Sequence, residues 1–414
     1  RKDCADFVMH AVLRLLLQFA DRLDPALLDR ARGTVLGFKY WPDEAGPGHA
    51  GLDSMCTWTE NHQILFASAA YLAGQLYPDQ VFSNSGQTGR EKMAEHRPRI
   101  ERWLDLRFRT GFSEWLSNVY YDEDLTALAS LIDFCQDEGI VRRAAMVVDL
   151  LIFDVALNSF KGVFGSTHGR SYEAQKKWAA REDMADTQKL LFGRGQFSLD
   201  GSMSAVCLAL SERYRMPRVL HEIANDLDRA VMVNRQRLGI RLDEAEQWGL
   251  GFEDLEDGMV YLTLEAYTHP RTINLFARML DAFNWWENEF FAPFKEYRGL
   301  IDGARRLGLL PLVARLLERD ITRNTREEVH TYTNRTPDTM LSSAQDYRPG
   351  YGGDQQHVWQ ATLGPDAVCF TTHPARREGP SPNYWTGSGT LPRVAQVENV
   401  VIAVYNVDTR PGLY

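Results

Sequence analysis

A mainly helical fold that gives way to an antiparallel β region is what this sequence predicts, and three observations carry it. Apolar residues recur at helical spacing through the first three quarters of the chain. After Asp320 the texture changes to short runs rich in Val, Thr, Tyr and Phe. Clusters of Gly, Pro and Asn punctuate both parts. Residues 1–320 are read as an (α/α) toroid, incomplete or closed. Residues 321–414 are read as an antiparallel β-sheet or sandwich domain, possibly truncated.

The elements follow in order. Phe7 to Leu23 carries apolar residues at helical spacing. Asn61 to Leu76 is apolar on nearly every side, through Ile64, Leu65, Phe66, Ala69, Ala70, Leu72 and Ala73. A helix of that kind is surrounded by protein rather than laid on a surface. Helical patterns continue over Arg99–Phe108, Leu125–Phe134, Val141–Leu157, Glu173–Phe192, Ser202–Ser211, Arg218–Leu238, Met259–Tyr267, Thr272–Phe290 and Gly303–Arg319. Alternation of very apolar with more amphipathic helices suits two layers, the inner one buried by the outer. Strands are expected at Glu328–Tyr332, His357–Ala361, Ala367–Thr371 and Val397–Tyr405. Turn formers at 348–353 and 378–383 separate them.

Composition excludes several classes. The 414 residues carry 46 Lys plus Arg against 56 Asp plus Glu, a formal charge of -10, with no basic block. Binding to a nucleic-acid phosphate backbone needs clustered cations, so it is not expected. No apolar run reaches the roughly 18–20 residues that a membrane span requires. The five cysteines (Cys4, Cys56, Cys135, Cys207, Cys369) are scattered without a CxxC pair, and read as isolated buried thiols rather than a disulfide framework or zinc ligand set. No metal or cofactor is expected. The first residue is Arg1, which a removed targeting peptide or a trimmed start would each give.

Four segments concentrate polar chemistry. In Cys56–Gln63, the groups Trp58, Glu60, Asn61 and His62 run into the most apolar helix, and polar groups entering a buried element are costly unless hydrogen-bonded or functional. The competing reading is a capping network on Thr59. In Phe112–Asp124, Glu114, Asn118, Tyr120, Tyr121, Asp122 and Asp124 offer an amide, aromatics for sugar stacking and carboxylates; Asp122 or Asp124 also suits a helix cap. In Gly162–Tyr172, three glycines permit close ligand approach beside His168, Arg170 and Tyr172. A helix starting near His168 would set His168 and Tyr172 four apart on one face. In Met340–Ala361, Gln356 and His357 suit either a groove between the two parts or a polar junction. His373 with Arg376 and Arg377 could add a cationic edge, while Tyr267–Arg271 reads as a helix junction.

Glu60-Asn61-His62-Gln63, leading into Ile64–Leu76 and Tyr77-Pro78-Asp79, resembles the Asn-His segment of heparinase II/III-like polysaccharide lyases. Ser342–Ala361 is similar to their entry into the first β-sheet, where a polar turn precedes a Trp-containing strand. The resemblance implies an (α/α) toroid joined to antiparallel sheets. It also implies β-elimination on an acidic polysaccharide or oligosaccharide, in a secreted or periplasmic setting, with a cytoplasmic one left open. Asn61 and His62 carry over position by position as groups that neutralise the uronate carboxylate. His168 and Tyr172 are the preferred proton-transfer pair, with Tyr120 or Tyr121 as competitors. Arg170 suits carboxylate recognition, and Glu60, Trp58, Asn118, Tyr120, Tyr121, Gln356 and His357 line the substrate.

Two other classes compete. A toroid glycoside hydrolase would use opposed carboxylates, Glu60 or Glu114 with Asp122 or Asp124. A non-catalytic carbohydrate-binding protein would show aromatic platforms without proton-transfer geometry. The glycan, its linkage, the cleavage mode and the oligomeric state are not encoded in any segment read above.

Overall fold

The computed structural model describes residues 2–44, 53–198, 200–322, 325–348, 355–372 and 391–406. The turn formers at 349–353 and 378–383, and His373, Arg376 and Arg377, lie outside the described residues. The protein is mainly helical, with a smaller antiparallel β region toward its C-terminus. Among the described residues no helix is long and apolar enough to cross a membrane.

Six helices form the part that positions the site: α1 (Ala5–Gln18), α2 (Pro25–Leu36), α3 (Glu60–Leu76), α4 (Gly89–Thr110), α5 (Tyr121–Phe134) and α6 (Glu138–Leu157). Every residue of α3 from Glu60 to Gly74 is buried. Its neighbours are α1, α4 and α5, as its uniform apolarity requires. Helix α5 is nearly as buried, whereas α4 and α6 each keep an exposed charged face. Helix α2 went unread in the sequence, although Asp24 accepts a hydrogen bond from the Ala26 amide at 2.8 Å and Pro25 opens the first turn. Helix α4 starts ten residues before the expected Arg99. A capping box at Thr88 and Glu91 nucleates it, and it runs through Pro98.

Several expected helices break, each for a local reason. The Glu173–Phe192 pattern becomes Glu173–Lys177 and Ala185–Phe192, because Glu182 between them turns inward to accept the Phe164 amide at 3.1 Å. Gly303–Arg319 becomes Arg298–Arg306 and Leu310–Leu316, with Gly308 at φ +68 in between. Arg218–Leu238 ends as a helix at Asn225, and Met232–Leu238 is instead a strand with alternating exposure.

That strand, β1, heads a five-stranded antiparallel sheet with β2 (Val329–Arg335), β3 (Met340–Ala344), β4 (Trp359–Gly364) and β5 (Ala367–Cys369), in spatial order β1-β2-β3-β4-β5. The sheet therefore crosses the division expected at residue 320. The expected strand Val397–Tyr405 is a hairpin of β6 (Arg393–Val397) and β7 (Val400–Val404), turned at Glu398 with φ +52. The Gln396 side chain bridges this hairpin to β3, accepting from the Ser343 hydroxyl at 2.6 Å and donating to the Leu341 carbonyl at 2.9 Å. Strand β2 docks on the helices: Thr333 donates to Asn158 at 2.7 Å, and Arg335 donates to the Ser159 carbonyl at 2.8 Å.

The end of α3 meets the start of α4 at Gly74 and Gly89, where a methyl on Gly89 would overlap the carbonyl oxygens of Tyr77 and Gly74. Gly89→Ala should therefore cost about 1–3 kcal/mol in denaturant unfolding. Gly33→Ala, in α2 with open space around it, should instead stabilise by about 0.5–1 kcal/mol.

Candidate active site

The expected site residues divide into two groups: those that converge near the start of α3, and those that are absorbed by the core. Arg170 is the centre of the first. Its guanidinium carbon lies 5.2 Å from the Tyr120 ring centroid and 5.6 Å from that of Tyr172. One terminal nitrogen donates to the Tyr172 hydroxyl at 3.1 Å, and the Tyr120 and Tyr172 hydroxyls are hydrogen-bonded at 2.5 Å. The other terminal nitrogen donates to Glu265 at 2.9 Å and sits 3.4 Å from Glu114. Arg326 closes a quartet, donating to Glu114 at 2.9 Å and to Glu265 at 2.7 Å. Two positive and two negative charges cancel in a space that water hardly reaches: Arg326 is 1% exposed, while Arg170 is 16% exposed and marks the open side.

Burial pushes the Tyr120 phenol well above its ordinary range, although the Arg170 charge opposes that rise. The Arg170 Nε is buried and has no partner among the described residues.

Helix α3 supplies the adjoining groups. Thr59 stands at the N-cap position but does not cap; its hydroxyl donates to the Asn61 side-chain oxygen at 2.7 Å. The Asn61 Nδ2 is buried and unpartnered among the described residues. The His62 Nδ1 meets the fully buried Asp6 carboxylate of α1 at 2.7 Å, and its ring stacks on Phe7 at 5.2 Å. Burial disfavours the imidazolium, but Asp6 and Asp3 outweigh it and the His62 pKa is raised; the charge of Glu114 reaches it as well.

The second group is structural. His168 and Tyr172 do not share a helix face, because the helix begins only at Glu173. His168 is instead extended and pairs backbone to backbone with His357, at 2.9 and 2.8 Å. Its Nδ1 is bonded to the Leu116 carbonyl and its ring stacks on His357 at 5.6 Å. Burial pushes the His168 pKa down to about 3. The Gln356 carbonyl accepts from Lys176 and the His357 ring meets Gln360 at 2.7 Å, so this stretch is a polar junction between the helices and the sheet. Tyr121 is fully buried with its hydroxyl accepting the Leu116 amide at 2.9 Å, and Trp58 packs among Trp285, Phe290 and Phe291. Neither offers a face to a sugar. Asn118 is buried beside the Gln175 carbonyl, 3.3 Å from its amide nitrogen.

Two carboxylates of the hydrolase reading are also committed. Glu60 accepts the Ser113 and Glu114 amides at 3.0 and 3.1 Å and abuts Arg107. Asp122 accepts the Met203 and Ser204 amides at 3.0 and 3.1 Å, with the Ser202 and Ser204 hydroxyls besides. It caps the helix Met203–Leu210 rather than its own. Asp124 is buried and its pKa is pushed well up by burial and by Glu114. Sequence reading missed Asp6, Glu265 and Arg326, whose roles come from partners 56 to 212 positions away. No family model, curated protein or solved structure matches this chain.

Two measurements check this electrostatic picture. Arg326→Met leaves two carboxylates facing Arg170 alone and should cost about 3–5 kcal/mol in denaturant unfolding. Burial holds the Glu182 carboxyl up at about 8, so its contribution is complete below the ordinary value near 4.5 and is lost as pH rises through 8. Glu182→Gln, which keeps an acceptor for the Phe164 amide, should raise the melting temperature at pH 8 and leave it nearly unchanged at pH 4. His10 and His168, pushed down to about 4 and about 3 by burial, work the other way, and their contributions erode as pH falls below about 6.5.

Proposed function

We propose that the protein is a polysaccharide lyase that cleaves a uronic-acid-containing glycan by β-elimination, on a helical toroid of the heparinase II/III-like kind. The observation that carries this reading is the Tyr120–Tyr172–Arg170 cluster: two phenols joined at 2.5 Å, one of them hydrogen-bonded to a guanidinium at 3.1 Å. A uronate C5 proton is weakly acidic until the charge of the adjacent carboxylate is neutralised and the enolate-like intermediate stabilised. In this scheme Arg170 and the spare Asn61 amide engage the carboxylate. Tyr172 exchanges protons with the sugar, taking the C5 proton or giving one to the leaving oxygen, and Tyr120 relays. His62 is engaged by Asp6 through Nδ1, so it contributes positive charge rather than a mobile proton. His168 has no part, since it sits in the buried junction with the sheet. A secreted or periplasmic setting belongs to the same reading, because that is where such polymers occur.

The test is ultraviolet absorbance of the unsaturated uronate during incubation with alginate, heparin, heparan sulfate, chondroitin and hyaluronan. A rise with one polymer supports elimination and names the substrate. Tyr172→Phe should then lower kcat by about 10²–10⁴ while binding of that polymer is retained. New reducing ends without the absorbance would replace elimination by hydrolysis and turn attention to Glu114 and Asp124.

A further inference from the structure

The start of α1 and the start of α3 bring three different donor types to one place. The Asp3 carboxylate, the Cys4 thiol and a ring nitrogen of His62 all lie within 4.8 Å of one another. Bonds of about 2.0–2.3 Å at tetrahedral angles set ligand atoms roughly 3.3–3.8 Å apart. The His62 Nε2 to Asp3 separation is 4.0 Å, close to that spacing and too long for a hydrogen bond.

His62 supplies an independent observation. Its side chain is only 8% exposed, and its Nδ1 is taken by Asp6, which is itself fully buried. That leaves Nε2 directed toward Asp3, with no hydrogen bond among the described residues. A carboxylate on one imidazole nitrogen, fixing tautomer and ring plane while the other nitrogen faces a carboxylate and a thiol, is how metal-bound histidines are held. The other Asp6 oxygen is buried and unpartnered among the described residues. That oxygen adds negative potential beside the imidazole, which favours positive charge there.

We propose that Asp3, Cys4 and His62 bind a divalent cation of the zinc class, with Asp6 orienting His62 and a fourth position open to water or substrate. A thiolate with one carboxylate balances the two positive charges, and mixed sulfur, nitrogen and oxygen donors favour zinc over magnesium or calcium. Binding replaces the Cys4 S–H by an S–metal bond and releases its proton to solvent. Asp3 and Cys4 are exposed, so the ion has an entry path, and the contraction of about 1 Å that binding requires draws the Asp3 carboxylate and the Cys4 thiol out of their contacts with each other, in which Asp3 also accepts the Cys4 amide at 3.0 Å.

The site does not rest on the lyase reading, and its test is read without activity. The whole chain is stripped with a chelator and titrated calorimetrically with Zn²⁺. The Co²⁺ form is then examined for a thiolate-to-cobalt charge-transfer band. One ion per chain is expected, with the band present in the wild type and absent in Cys4→Ser. Cys4→Ser and Asp3→Asn, both at exposed positions, should each weaken Zn²⁺ binding tenfold or more, and Asp6→Asn about 10–100-fold. No stoichiometric binding, or binding and a cobalt spectrum unchanged in Cys4→Ser, would overturn the proposal and leave His62 as an ion pair with Asp6.

Discussion

Four charged groups from four separate segments meet in one desolvated spot, and the geometry around the site follows from that meeting. Glu114 arrives from the loop before α5, Arg170 from the glycine-rich loop, Glu265 from the end of a later helix and Arg326 from the approach to β2. None could be buried alone, since an isolated charge in a low-dielectric interior is expelled or neutralised. Together they sum to zero, and each carboxylate meets both arginines, so each segment is tied through its charge to two of the others. Glu265 adopts φ +52, a backbone conformation disfavoured for a residue with a Cβ, which the surrounding contacts hold in place. Such a network need not add net stability over an apolar filling, but it penalises any arrangement in which one loop is displaced.

The quartet also fixes how Arg170 is held on its more exposed side. Glu114 and Glu265 each contact both arginines, and Arg326, the more buried of the two, meets them at the shorter distances. Arg170 reaches outward from that base, flanked by two tyrosine rings that fix its plane. A guanidinium held in this way loses little rotamer freedom on meeting a carboxylate, which is the physical content of preorganisation. The Tyr120–Tyr172 pair is positioned by the same contacts, because the Ser117 hydroxyl donates to the Arg170 carbonyl at 2.9 Å and ties the two loops together.

What was legible in the sequence followed from local patterns. The all-round apolarity of α3 accounts for its burial, and the polar groups at its start are the ones that take buried partners, Asn61 with Thr59 and His62 with Asp6. Arg170, Tyr172 and Tyr120 were visible as chemistry within two short segments. Their partners were not. Asp6 sits in an amphipathic first turn and reads as a solvated charge, Arg326 lies in a run of polar residues, and Glu265 ends a helical pattern. Strand β1 was missed for a related reason: Met232–Leu238 is mostly polar and follows a helix, so only its pairing with β2 defines it. The His168–Tyr172 spacing misled because it presumed a helix where the chain is extended and paired with His357.

The cysteines show the same limit. A search for ligand spacing finds CxxC pairs, whereas Cys4 has its nearest donors at its neighbour Asp3 and at His62, 58 positions on, and neither spacing is a signature. Only the packing of α1 against α3 brings them together. That packing also sets the Asp3 and Asp6 carboxylates around His62, whereas Arg170 presents positive charge from a neutral base of its own. The two proposals therefore meet at His62: the elimination scheme takes it as an imidazolium paired with Asp6, whereas a bound cation takes it as a neutral ligand, so they ask for different charge states of one residue.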